Sequence, residues 1–234
     1  MTDAVNYTMH VNEKFFADGS IRHYPGSTII CFADPASAIY TLGESVQAQL
    51  MAEPYGHKFV LLPPSSFHMT VFSLLLDQRR APDGWSAHVP LEASLADADR
   101  HMRQTVATVP APANFRMVFK YLGGGGLSFQ LTPADETSER TLWAYRHALA
   151  AATGVRYPDH DTYRFHLTLA YKLIHLTDDE ERDFQAFRLN LGETLRPQLG
   201  IFDTGAPVLT FFDHMNRFVT ADEYHTLETR SAPL

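Results

Sequence analysis

The apolar positions of this chain fall into short runs of strand character and longer stretches of helical spacing, and the succession of the two occurs twice. Residues 1–26 are polar and aromatic, with Asp18-Gly19 and Pro25-Gly26 as turn signals. Residues 28–33 are a continuous apolar run, the pattern of a buried strand. Ile39, Leu42, Val46 and Leu50 then recur at helical spacing through residues 36–53, and Pro54 to Gly56 ends that helix. Residues 58–62 and 67–76 read as strands separated by Pro63-Pro64. Residues 77–90, with Pro82, Asp83-Gly84 and Pro90, read as a long surface loop, and 91–109 as a helix. Residues 115–121 alternate as a strand, and the run Gly123 to Gly126 turns them into 127–131 as a flexible hairpin. Residues 135–153 form a second long helix that opens on acidic residues and closes at Gly154. A strand over 163–171 follows, then the capping box Thr177-Asp178-Asp179-Glu180, which opens a helix to about residue 191. Residues 207–212 and 217–220 read as a final hairpin. Strands and helices mix without strict alternation and no linker divides them, so the fold class is α+β and residues 1–234 read as a single domain.

Two of the strands carry matching chemistry. His68-Met69-Thr70 and His166-Leu167-Thr168 each lie inside an apolar run. In a strand, residues two apart share a face. Each run therefore presents an imidazole and a hydroxyl side by side, while Met69 and Val71, or Leu167 and Leu169, point into a core. The two histidines are 98 residues apart, and the same offset aligns Pro35-Ala36 with Pro133-Ala134, Gly56 with Gly154 and Phe67 with Phe165. The chain reads as a duplicated unit that brings two imidazoles and two hydroxyls to one cavity.

Charge and composition narrow the partners. A formal net charge of −8 argues against broad binding to long nucleic acid, which needs a basic footprint, and leaves room for a nucleotide or an RNA end in a local pocket. Cys31 is the single cysteine, set in an apolar run, and reads as a buried structural thiol rather than a metal ligand. The start Met1-Thr2-Asp3-Ala4-Val5-Asn6 lacks the pattern of a signal peptide, and no window approaches the ~20 apolar residues of a membrane span. A cytoplasmic monomer without a membrane partner is expected.

The paired His-x-Thr motifs, with Pro25-Gly26-Ser27-Thr28-Ile29-Ile30-Cys31 before the first and Tyr163-Arg164-Phe165 leading into the second, resemble the two-histidine (2H) phosphoesterases. That superfamily includes LigT-like proteins and cyclic phosphodiesterases, and the strings are similar to a bacterial branch whose substrate is undefined. The resemblance implies a bilobal, pseudo-twofold LigT-like fold: two antiparallel sheets flank a central cleft, with helices outside. It spans about residues 25–220 and leaves the extension 1–24 and the loop 77–90 unexplained. It implies His68 and His166 as the catalytic pair and Thr70 and Thr168 as substrate-binding residues.

Opening a cyclic phosphodiester needs a base to activate water, an acid for the departing ribose oxygen and donors to the phosphoryl oxygens. Histidine serves both proton roles near neutrality, and the hydroxyls of Thr70 and Thr168 suit the third. Which imidazole is acid and which is base stays open. Arg164, two before His166, shares its face and is either a phosphate clamp or a solvated strand end. Tyr171, five after His166, faces away in a regular strand, and a bulge would bring its hydroxyl to the rim of the substrate site. Lys58 and Arg156 read as solvated. Asp159-His160-Asp161 and Asp213-His214 raise a metal hydrolase, but no His-Glu-x-x-His accompanies them, so no metal or cofactor is expected. The expected activity is metal-independent hydrolysis of 2′,3′-cyclic or related nucleotide phosphodiesters. The alternatives are 2′–5′ RNA ligation with the same residues and a nucleotide- or RNA-end-binding module without turnover.

Overall fold

The computed structural model of the chain describes residues 5–227, so most of the stretch Met1 to Asn6 lies outside the described residues. In chain order the elements are β1 (Gly26–Phe32), α1 (Ala38–Ala52), β2 (Phe59–Leu61), β3 (His68–Leu76), α2 (Leu95–Val106), β4 (Arg116–Gly123), β5 (Leu127–Pro133), α3 (Glu136–Thr153), β6 (His166–Lys172), α4 (Asp178–Leu199), β7 (Ile201–Asp203), β8 (Val208–His214) and β9 (Arg217–Thr220). Among the described residues the nine strands form one sheet in the order β7-β4-β5-β6-β3-β1-β8-β9, with β2 also paired to β6. Every pairing is antiparallel. The α+β class holds, and the two sheets expected around the cleft are halves of this one sheet.

The duplication read from the sequence is visible in the register. Ile30 pairs with Thr70 and Phe32 with His68. Ser128 pairs with Thr168 and Gln130 with His166, each 98 residues on from its counterpart. The halves are joined through one pair, Met69 with Leu167, which are themselves equivalent positions. A pseudo-twofold axis therefore passes between them. Carrying that antiparallel register one residue further sets His68 beside Thr168 and Thr70 beside His166. Beyond this pair the rest of β6 is taken up by β2, from Phe59 with Lys172 to Leu61 with Ala170. Met69, Val71, Leu167 and Leu169 are buried on the opposite face, where each contributes about 1.5–3 kcal/mol.

Both motif strands carry a bulge at the same point. Ile29 pairs with Phe72 but Ile30 with Thr70, so Val71 is the extra residue of β3. Leu127 pairs with Ala170 but Ser128 with Thr168, so Leu169 is the extra residue of β6. The carbonyl of each extra residue is held by a buried polar side chain from the helix of the other repeat. Arg146 on α3 donates through Nη1 to Val71 O at 2.5 Å and through Nη2 to His160 O at 2.9 Å. Gln47 on α1 donates through Nε2 to Leu169 O at 2.8 Å and to Leu62 O at 2.7 Å. The close approach of α1 to β6 also fixes Gly43, where a Cβ would lie 2.8 Å from the Phe67 ring. Each helix thus braces its partner's motif strand.

Element ends follow local chemistry. Asp135 caps α3 by accepting from Ser138 N, and Gly154 closes it at φ 67°, where glycine avoids the Cβ penalty. The Thr177–Glu180 capping box opens α4 as expected. Other expectations need correction. The helix placed over 91–109 starts only at Leu95, because Ser94 supplies its cap. Helix α4 runs past residue 191 to Leu199, since Leu195 and Leu199 continue its buried stripe and Pro197 falls in its last turn. Strand β7 was not foreseen. Residues 77–90 are a loop as expected, but its middle is packed inward: Trp85 is 2% exposed beneath the Arg80 guanidinium, and Ser86 donates to Thr153 O at the end of α3. Lys58 is not solvated but pairs with Glu180 at 2.5 Å, whereas Arg156 is exposed and pairs with Asp161. Cys31 is buried, which pushes its thiol up to about 11. No helix of the described residues is long and apolar enough to cross a membrane.

Candidate active site

His68, Thr70, His166, Thr168 and Tyr171 line a single cavity of about 180 Å³. The strand parity expected from the sequence holds for the first four. Tyr171 joins them because the Leu169 bulge inverts the alternation after Thr168, as the Val71 bulge does for Ser73, the equivalent position in β3. Of the two placements weighed for Tyr171, the bulged one holds and the regular-strand one does not. Its hydroxyl donates to Met215 Sδ at 3.8 Å.

Each imidazole is fixed in the same way. His68 Nδ1 lies 2.7 Å from Ser66 O, and His166 Nδ1 lies 2.8 Å from Arg164 O, again one repeat apart. A carbonyl oxygen only accepts, so Nδ1 carries the proton in both rings and Nε2 is the working nitrogen. Arg164 therefore takes part through its main chain. Its side chain is exposed and lines no cavity with His166, so the phosphate-clamp alternative is not met.

The surroundings of the two histidines differ. The Phe218 ring of β9 stacks edge-on against His68 with centroids 4.4 Å apart. Burial lowers the His68 imidazole to about 4, the Ser66 carbonyl opposing and the nearby His166 adding to the fall. His68 is therefore neutral at ordinary pH. Tyr163 shares a hydrogen bond with the Thr70 side chain and lies under the Arg146 guanidinium at 4.5 Å; burial pushes its phenol up to about 12, so it stays protonated.

The N-terminal contribution was not foreseen from the sequence. Residues 6–8 are pinned beside β6 by Thr8 N to Leu173 O and His175 N to Asn6 O, both 2.8 Å. Asn12 takes a left-handed φ of 72°, and Phe15 is fully buried, which turns Lys14 and Tyr24 into the cavity. Lys14 Nζ sits 4.8 Å from the Tyr171 ring centroid and 5.6 Å from that of Tyr24. The lining among the described residues thus contains three nitrogen bases or cations, five hydroxyl side chains besides the tyrosines, and no carboxylate or thiol. The signal that would have found Lys14 is absent from a linear pattern, because a tight irregular turn places it.

The metal-type cluster expected to be weak lies elsewhere. Candidate ligand atoms of His147, His160 and Asp161 fall within 4.8 Å of one another. His160 Nε2 and His147 Nδ1 are 3.1 Å apart, within hydrogen-bond distance, and Asp161 is engaged by Arg156. Burial and the neighbouring Arg146 keep His160 low, at about 4.

The comparisons with known proteins bear on the family and the fold. A family described as 2H-phosphodiest, a domain of unknown function (DUF1868), matches residues 14–126, a span that includes Lys14 and the first motif. A crystal structure of a conserved protein of unknown function from Agrobacterium tumefaciens is similar over 94% of both chains, with 27% identity and a TM-score of 0.85. A crystal structure of a Thermus thermophilus protein, TT0787, aligns over 79% of this chain and 87% of that one, at 16% identity and a TM-score of 0.43. No curated protein matches the chain. With its matched motifs, the chain resembles the two-histidine (2H) phosphoesterases, and the family model supports that likeness over residues 14–126.

Proposed function

We propose that the protein hydrolyses a cyclic phosphodiester of the 2′,3′-nucleotide or RNA-end type, without a metal, by acid–base catalysis between His68 and His166. One observation carries this reading: two histidines, related by a pseudo-twofold axis, each with Nδ1 fixed on an equivalent carbonyl and each beside a threonine, line one cavity. Groups so related lie on opposite sides of a phosphorus atom between them, as an in-line displacement requires. His68, held neutral by burial, takes a proton at Nε2 from the attacking water. His166, protonated, gives its Nε2 proton to the departing ribose oxygen. The hydroxyls of Thr70 and Thr168 donate to the non-bridging oxygens, and Lys14 offsets the phosphate charge. The donor set supports a metal-free route, since the lining offers imidazoles but no carboxylate or thiol to complete a divalent site.

The test is a panel of 2′,3′-cyclic, 3′,5′-cyclic and linear nucleotide phosphodiesters assayed with and without EDTA. Turnover of a 2′,3′-cyclic nucleotide that persists in EDTA is the expected result. Loss of turnover on chelation, restored by a divalent ion, would move the protein to metal-assisted hydrolysis.

A further inference from the structure

The four-glycine turn takes no part in the reaction drawn above, yet it walls a second cavity of about 230 Å³ on the far side of His166. His166, Thr168 and Tyr171 are shared between this chamber and the cleft. Its chemistry is different. Gln130 and Ser128 stand directly beside His166 and Thr168 in the β5–β6 register and extend the reactive row sideways. Gln130 Nε2 donates to Ser128 Oγ at 2.9 Å. That bond leaves the carboxamide oxygen, a second amide hydrogen and the serine hydroxyl hydrogen to meet a ligand. His10 forms another polar wall, its imidazole lowered by burial and by Lys14. Among the described residues no Asp, Glu, Lys or Arg lines the chamber.

Three of the four glycines have close neighbours in this wall, while Gly125 has none within 4 Å. A Cβ at Gly123 would lie 2.7 Å from both Gln130 Nε2 and Ser128 Oγ, and one at Gly126 would lie 2.4 Å from Ala170 O. At Gly124 it would meet the Arg188 guanidinium at 2.7 Å. Bare backbone is what lets the turn close on the Gln130–Ser128 pair. In the first repeat the matching positions are Ile30 and Phe32, and Phe218 covers His68 there. The chamber is a departure from the twofold pattern, placed beside one histidine only.

We propose that this chamber is a second substrate subsite that receives the uncharged, hydrogen-bonding group attached to the leaving oxygen, the ribose and base of a nucleotide. The scissile phosphate stays between the histidines near Lys14. The orientation rests on the two-histidine reading, which makes His166 the acid standing between phosphorus and the chamber.

The experiment measures binding as well as turnover. Calorimetry on the wild-type protein compares adenosine 3′-monophosphate with inorganic phosphate, and the same pair is titrated into Gln130→Leu and Ser128→Ala. The nucleotide is expected to bind more tightly than phosphate. Gln130→Leu should remove about 10-fold of that preference, and Ser128→Ala rather less, while phosphate affinity is unchanged. For a cyclic nucleotide that is turned over, Gln130→Leu should raise KM and leave kcat nearly intact. Equal wild-type affinity for nucleotide and phosphate would overturn the proposal, as would a preference that survives both substitutions. A preference lost in the variants, in a protein that opens no cyclic nucleotide, would sink the catalytic reading and leave the subsite standing.

Discussion

In the first repeat His68 stands beside Phe32 and under the edge of Phe218, and burial drives its imidazole down to about 4. In the second, His166 stands beside Gln130 and opens on a polar chamber behind a glycine turn. The backbones agree closely, with the same register, the same bulge and the same carbonyl on Nδ1. Duplication therefore supplied equal geometry, and the neighbours on the outer strands differ. In the proposed mechanism the apolar lid keeps one imidazole neutral as a base, and the polar chamber gives the other access to the group it would protonate.

The division can be broken most severely at the histidines. His68→Ala and His166→Ala should each lower turnover of a 2′,3′-cyclic nucleotide by about 10²–10⁴-fold, and the double variant should be little worse than either. Near-wild-type rates from either single variant would end the paired mechanism. Thr70→Val and Thr168→Val should lose about 10- to 10³-fold, mostly in kcat, because each removes one donor to the transition-state charge. An effect confined to KM would instead make them ground-state contacts. The bulge braces sharpen the comparison through stability. Arg146→Leu strips a charged donor from Val71 O and His160 O and should cost about 3 kcal/mol in urea unfolding. Gln47→Leu should cost about 1–2 kcal/mol, since Leu169 O keeps the Leu62 N–H as a donor. A reversed order would show that the buried guanidinium does not hold the first bulge.

Much of this was legible in the sequence because it is encoded locally. The His-x-Thr faces follow from strand parity, the ends of α3 from Asp135 and Gly154, and the start of α4 from Thr177 and Glu180. What escaped depends on contacts between distant segments. A bulge leaves no mark on the alternation of Leu169 and Ala170, both apolar, so strand parity alone turned Tyr171 away and only the bulge alternative brought it to the site. Lys14 reaches the cleft through an irregular turn with one left-handed asparagine. The packing of the loop around Trp85 was hidden because the helix end that Ser86 bonds, Thr153, lies 67 residues on. The glycine run read as a flexible turn, whereas three of its members are set by the side chains and carbonyl they touch.

The central claim is that burial beneath Phe218 makes His68 the base. The direct measurement is the pH dependence of kcat/KM for a 2′,3′-cyclic nucleotide in EDTA, for the wild type and for Phe218→Ala. A base whose pKa is lowered to about 4 is active above that pH and loses activity as pH falls through it, so the wild-type acid limb should lie near 4. Removing the ring admits water, and desolvation is the main cause of the shift, so the limb in Phe218→Ala should move up toward 6.5. An acid limb that Phe218→Ala does not move would contradict the account.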